Sequence, residues 1–180
     1  MTCLPERGTF ASGLPTSLTV VGSGSQEAAL RSEAAALRLE NVTFTGRVAP
    51  SEVHRYYADA DIYVQAPSID NMPLSVLEAF ASGLPVVSTN VGGIPSILRD
   101  GIDGLLVDDN DAASLANQIT KLLSDPAFAR RLAQSAYETL PAYHWSVARE
   151  GWLQAYRRAL RRSDGDAAEH AVESSPLNPA

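Results

Sequence analysis

The sequence predicts an α/β fold: a Rossmann-like, doubly wound parallel sheet with a helical C-terminus. Short apolar runs alternate with amphipathic segments along the first two thirds of the chain. Each run is nearly all apolar, which marks strands covered on both faces. Right-handed crossovers then build a doubly wound layer whose ligands sit beyond the carboxyl ends of the strands.

Residues 1–16 carry Pro, Gly, Ser and Thr without period and read as irregular. The β-branched run "SLTVVG" (17–22) reads as a buried strand ending at glycine. "SQEAALRSEAAALRL" (25–39) predicts a helix with Leu30, Ala34 and Leu37 on one face and Ser25 as its cap. "NVTFTG" (41–46) is the second strand, and a short helix at about 51–58 turns Val53, Tyr56 and Tyr57 inward. "DIYVQAPS" (61–68) is the third strand, and a helix follows at about 73–82. "PVVST" (85–89) and "GLLV" (104–107) complete the strands. Three helices follow at about 111–124, 126–138 and 145–161, and the polar segment 163–180 is expected to be disordered. The expected organisation is an irregular segment 1–16, one binding domain 17–162 and the tail 163–180.

Composition narrows the function. A net charge of −7 argues against a nucleic-acid binder, because phosphate neutralisation needs clustered cations. One cysteine, Cys3, excludes an internal disulfide and a cysteine-based metal site. No apolar run approaches membrane-spanning length and the start lacks the order of a signal peptide, so the cytoplasm is the expected location.

The stretch "DNMPLSVLEAFASGLPVVST" (70–89) carries the chemistry. Asp70 follows a strand and stands at the ligand-facing rim. Pro73 suits the first turn of a helix. The amides of Asn71, Met72, Leu74 and Ser75 have no intrahelical partners and form an anion-receptive nest. Glu78 lies roughly 7 Å further along the axis. Carboxylates accept hydrogen bonds from paired hydroxyls and amides suit a phosphate, so the layout suits a nucleotide sugar. Taken as an isolated pair, the plainer reading is stronger: a turn residue and an exposed helix residue. A core face of Leu74, Leu77 and Ala81 would put Glu78 near a buried edge, where an unpaired carboxylate is costly.

The stretch "SIDNMPLSVLEAFASGLPVVSTNVGGIPSILRDGIDGLLV" resembles the C-terminal, donor-binding half of retaining GT-B glycosyltransferases of the group 1 type. The likeness extends back through "LTVVGSGS", "NVTFTGRV" and "YYADADIYV" and forward to "HWSVAREGWLQAY", covering about 17–161. It implies that Glu78 holds the donor ribose, that Asp70 contacts the transferred sugar, and that the amides after Asp70 meet sugar and diphosphate oxygens. Val48 matches the place where backbone groups meet the base. The implied donor is a UDP- or GDP-sugar, with an unidentified acceptor and no cofactor or metal.

Three departures stand out. Asp70 replaces a glutamate, and Ser96 stands where many relatives carry one. Relatives also open this domain with a strand, an arginine and a lysine that clamp the diphosphate, and residues 1–16 supply none of these. Lys121, the sole lysine, belongs to a later surface-type helix, and neither Arg7 nor Arg47 is a convincing substitute. The acceptor-binding half of such enzymes has no counterpart here. The expectation is therefore a truncated enzyme or one piece of a split one, with an N-terminal-half partner chain. In it, the strand at 18–22 stands next to that at 61–65 without its usual neighbour. The rival is a non-catalytic, degenerate nucleotide-binding or interaction module.

Other signals read as structure. "GSGSQE" (22–27) has Glu27 where a dinucleotide fingerprint needs its third glycine, so a tight turn accounts for it. "RDGIDGLLVDDNDA" (99–112) lacks calcium-loop spacing and reads as turns with a cap at Asn110 or Asp111. His144 before Trp145 reads as packing at a helix start. "RRALRR" (157–162) reads as a solvated face, with peripheral contact to an anionic membrane surface as the weaker alternative.

Overall fold

The computed structural model describes residues 16–173, with side chains to residue 160. The order is β1 (Leu18–Val21), α1 (Glu27–Ala36), β2 (Val42–Gly46), α2 (Val53–Ala58), β3 (Tyr63–Val64), α3 (Leu74–Ala81), β4 (Val86–Thr89), β5 (Leu105–Val107), α4 (Ala112–Ser124), α5 (Pro126–Thr139) and α6 (Trp145–Glu173). Two 3-10 turns that the pattern did not announce stand at Ile94–Ser96 and Leu140–Tyr143. Two units divide after Glu138.

All strand pairs are parallel, as the alternation of strands and helices predicts. Among the described residues the strands form two hydrogen-bonded groups, β1–β2 and β3–β4–β5.

The two groups differ in burial. Every residue of β4 is buried, with Val86, Val87 and Ser88 at 0% exposure. Val87, Leu105 and Val107 pack on Leu115, Leu122 and Leu132 of α4 and α5, forming the core. In α1 the expected face holds: Ala34 is buried and Leu30 and Leu37 are half-buried, but Ala34 is the only buried residue of that helix. β1 alternates between half-buried and exposed, and Val21 is 41% exposed.

Several local expectations shift. Ser25 does not cap α1; Gln26 precedes it with no side-chain cap. Asp111 caps α4, accepting from the Ser114 amide (2.8 Å) and hydroxyl (2.6 Å), and this lowers its pKa. Asn110 instead takes a positive φ of 61°. Lys121 projects over the Phe128 ring, 4.6 Å from its centroid.

In the second unit, the His144 carbonyl starts α6 by accepting from the Val147 and Ala148 amides. The expected packing there is absent, since His144 is exposed and Trp145 is 73% exposed. A backbone acceptor can begin a helix without burying its side chain. The helix runs to Glu173, past the expected limit of about 161 and into the segment expected to be disordered. Residues 1–15 and 174–180, which held the irregular segment and the end of the tail, lie outside the described residues. Among the described residues, no helix is long and apolar enough to cross a membrane.

Candidate functional site

The site assembles at the carboxyl end of β3. Gln65, just past the strand, donates to the Ser88 hydroxyl (3.1 Å), and its carbonyl lies 3.3 Å from the hydroxyls of both Ser75 and Tyr63. Thr89 donates to the Pro67 carbonyl at 2.6 Å. These bonds tie the loop after β3 to the fully buried β4, so the segment leading to Asp70 starts from a rigid base.

The tip of that loop rests on a glycine pair. The Gly93 amide donates to the Asp70 carbonyl at 2.9 Å. A Cβ at Gly92 would run into the Asp70 carbonyl, and one at Gly93 into that of Asn71. Gly92 also has φ of +55°, which L side chains rarely adopt. Glycine is required twice because two backbones meet there.

Asp70 is half-buried, and its Oδ1 accepts from the Met72 amide at 3.1 Å. That bond corrects one element of the expected nest: the Met72 N–H is spent inside the loop. Pro73 is the residue before α3, in extended conformation, rather than the first helical residue. The first intrahelical amide is that of Val76, bonded to the Pro73 carbonyl (3.1 Å). The amides of Leu74 and Ser75 precede it at the open end of the helix.

The core face of α3 is Val76, Ala79 and Phe80, not Leu74, Leu77 and Ala81; Leu74 is 67% exposed. Both sets obey helical spacing on a helix that is apolar almost all round, so periodicity cannot choose between them. Glu78 is consequently exposed rather than near a buried edge.

Glu78 has a partner all the same. The Tyr57 hydroxyl, from α2, donates to Glu78 Oε2 at 2.9 Å and lies 3.4 Å from the Ser75 carbonyl. The Tyr57 ring contacts that of Tyr63, with centroids 5.7 Å apart. Burial, then the bond to Glu78, pushes the Tyr57 phenol far above its ordinary value. Burial also raises Tyr63, and the negative charges of Glu78 and Asp70 both add to that shift. One phenol therefore senses both carboxylates. Val48 is half-buried in the loop between β2 and α2.

Tyr57 was expected only to face inward, and Gln65 and the Gly92–Gly93 pair were not singled out from sequence. A polar residue in an apolar strand run and a tandem glycine after a strand are the signals that could have marked two of them. An open concavity of about 340 Å³ lies elsewhere, lined by Asn90, Asp100, Asp108, Asp111 and Ser114 among others. It holds neither Asp70 nor Glu78, and its carboxylates would repel a diphosphate.

The family model described as glycosyl transferases group 1 matches residues 9–139. The D-inositol 3-phosphate glycosyltransferase of Acidothermus cellulolyticus is 36% identical over 149 residues, covering 79% of this chain and 33% of that protein. The phosphatidyl-myo-inositol mannosyltransferase of Mycobacterium leprae is 33% identical over 141 residues, with 77% and 37% covered. Sucrose-phosphate synthase from Thermosynechococcus elongatus superposes with a TM-score of 0.72 at 29% identity, covering 85% of this chain and 41% of that one. The matched part of the chain spans 26–37% of the length of these curated relatives.

Proposed function

Because the chain belongs to the glycosyl transferases group 1 family, we propose that it is the donor-binding half of an enzyme moving a sugar from a UDP- or GDP-sugar to an acceptor with retention at the anomeric carbon. An N-terminal acceptor-side domain completes the reaction cleft in this reading. Glu78 accepts the ribose hydroxyls and Asp70 those of the transferred sugar. The amides of Asn71, Leu74 and Ser75 face the diphosphate, and backbone groups at Val48 meet the base. Preorganised amides stabilise charge as it develops on the leaving diphosphate, which lowers the barrier without reorganisation.

The observation that carries this reading is the family match over residues 9–139, with Asp70 on the loop before α3 and Glu78 on that helix. The Tyr57 bond engages Oε2 of Glu78, and a carboxylate with two oxygens retains acceptor capacity for hydroxyls. The test is thermal denaturation with UDP or GDP. Either nucleotide should raise the melting temperature, and Glu78→Ala should abolish the rise; no shift with any nucleoside diphosphate refutes the reading.

A second reading, a non-catalytic nucleotide-binding or interaction module, draws on the cations. Arg31 is engaged with Glu27 (2.8 Å), Arg99 with Asp103 (2.6 Å), and Lys121 lies over Phe128. Among the described residues no hydrogen bond or ion pair from a cation to the start of α3 is seen. Sugar transfer after mixing with an acceptor-side domain separates the two readings.

A further inference from the structure

We propose that Tyr57 is a positioning residue for donor binding: its hydroxyl holds the Glu78 carboxylate in the orientation that receives the ribose. The proposal rests on the reading of Glu78 given above. A glutamate on an exposed helix face has three rotatable bonds and samples many rotamers. Here one oxygen, Oε2, is held at 2.9 Å by a phenol from a different helix. That phenol is itself fixed, because its ring packs against Tyr63 and its oxygen lies 3.4 Å from the Ser75 carbonyl. The bond therefore removes motion from Glu78 before any ligand arrives, and preorganisation of this kind raises affinity by cutting the cost of ordering.

Chemistry supports a permanent donor. Burial and the neighbouring carboxylate keep the phenol protonated well beyond neutral pH. A protonated phenol donates one hydrogen bond and leaves Glu78 its charge. Tyr57 also sits on α2, directly after the loop that holds Val48. One short helix thus links the segment assigned to the base with the side chain assigned to the ribose.

The experiment uses the full chain and titration calorimetry with UDP and GDP, each compared with the same nucleotide lacking both ribose hydroxyls. Tyr57→Phe keeps the ring and removes only the O–H. It should weaken binding of the hydroxylated nucleotide roughly 10-fold, the scale of a lost hydrogen bond to a charged group. Affinity for the hydroxyl-free nucleotide should not change, a distinction that a packing role would not produce. In the Glu78→Gln background, Tyr57→Phe should add little. Equal losses for both nucleotides, or no loss in Tyr57→Phe while Glu78→Gln binds weakly, overturn the positioning role alone. Full binding by Glu78→Gln overturns the assignment of Glu78, and the role of Tyr57 falls with it.

Discussion

Glu78 and Asp70 solve the same problem in different ways. Each is a carboxylate at an accessible rim, where a free side chain loses rotamer freedom on binding. Asp70 is short and is held by its own loop through the Met72 amide. Glu78 is long and is held from outside, by Tyr57. The phenols that surround them make a prediction about pH. The folded state favours the neutral forms of Tyr57 and Tyr63, so their folded pKa values stand above the unfolded one. The stability linked to them is complete below the ordinary tyrosine pKa of about 10 and is lost as pH rises through the folded values. Urea midpoints measured across that alkaline range should fall, and should fall less steeply in Tyr57→Phe. The same slope in both proteins would mean that Tyr57 ionises freely.

At the scale of elements, the loop after β3 is shaped by what it leans on. Gly92 and Gly93 follow β4 and admit the Asp70–Asn71 backbone with no room for a methyl group. Gly93→Ala should cost about 1–3 kcal/mol in urea denaturation, the usual range for overpacking a closed contact. It should also weaken nucleotide binding, because the displaced loop carries Asp70. A variant with unchanged stability would show that the loop yields without cost. Helix α3 illustrates the limit of pattern reading. Its placement after a strand was legible, but its inward face was not, since Leu74–Leu77–Ala81 and Val76–Ala79–Phe80 both fit helical spacing. Helix α3 meets β4, and Val76, Ala79 and Phe80 are the residues that end up buried.

At the scale of the whole first unit, stability is uneven. β4 is buried at every residue, and the main core lies against it in α4 and α5. Ala34 is the one buried residue of the β1–α1–β2 part, and among the described strands β1 pairs with β2 alone. Regions with few buried apolar contacts open at lower free energy than the global transition. Hydrogen exchange should therefore be faster at the amides of β1 and β2 than at those of β4. Equal protection in both would mean that the two strand groups open as one cooperative body.

The sequence by itself determined the order of strands and helices, the parallel sense of the pairs, and the position of Asp70 and Glu78 just beyond a strand end. Those features follow from local period and from which residues can end a strand, and both are written within a few neighbours. Only tertiary structure decided that the described strands fall into two hydrogen-bonded groups, that Val76 rather than Leu77 is buried, and that Tyr57 reaches Glu78. A period states that a stripe exists; which neighbour covers it depends on packing between segments far apart in the chain. Tyr57 and Glu78 are 21 positions apart and on different helices, so their bond forms only once the chain has folded.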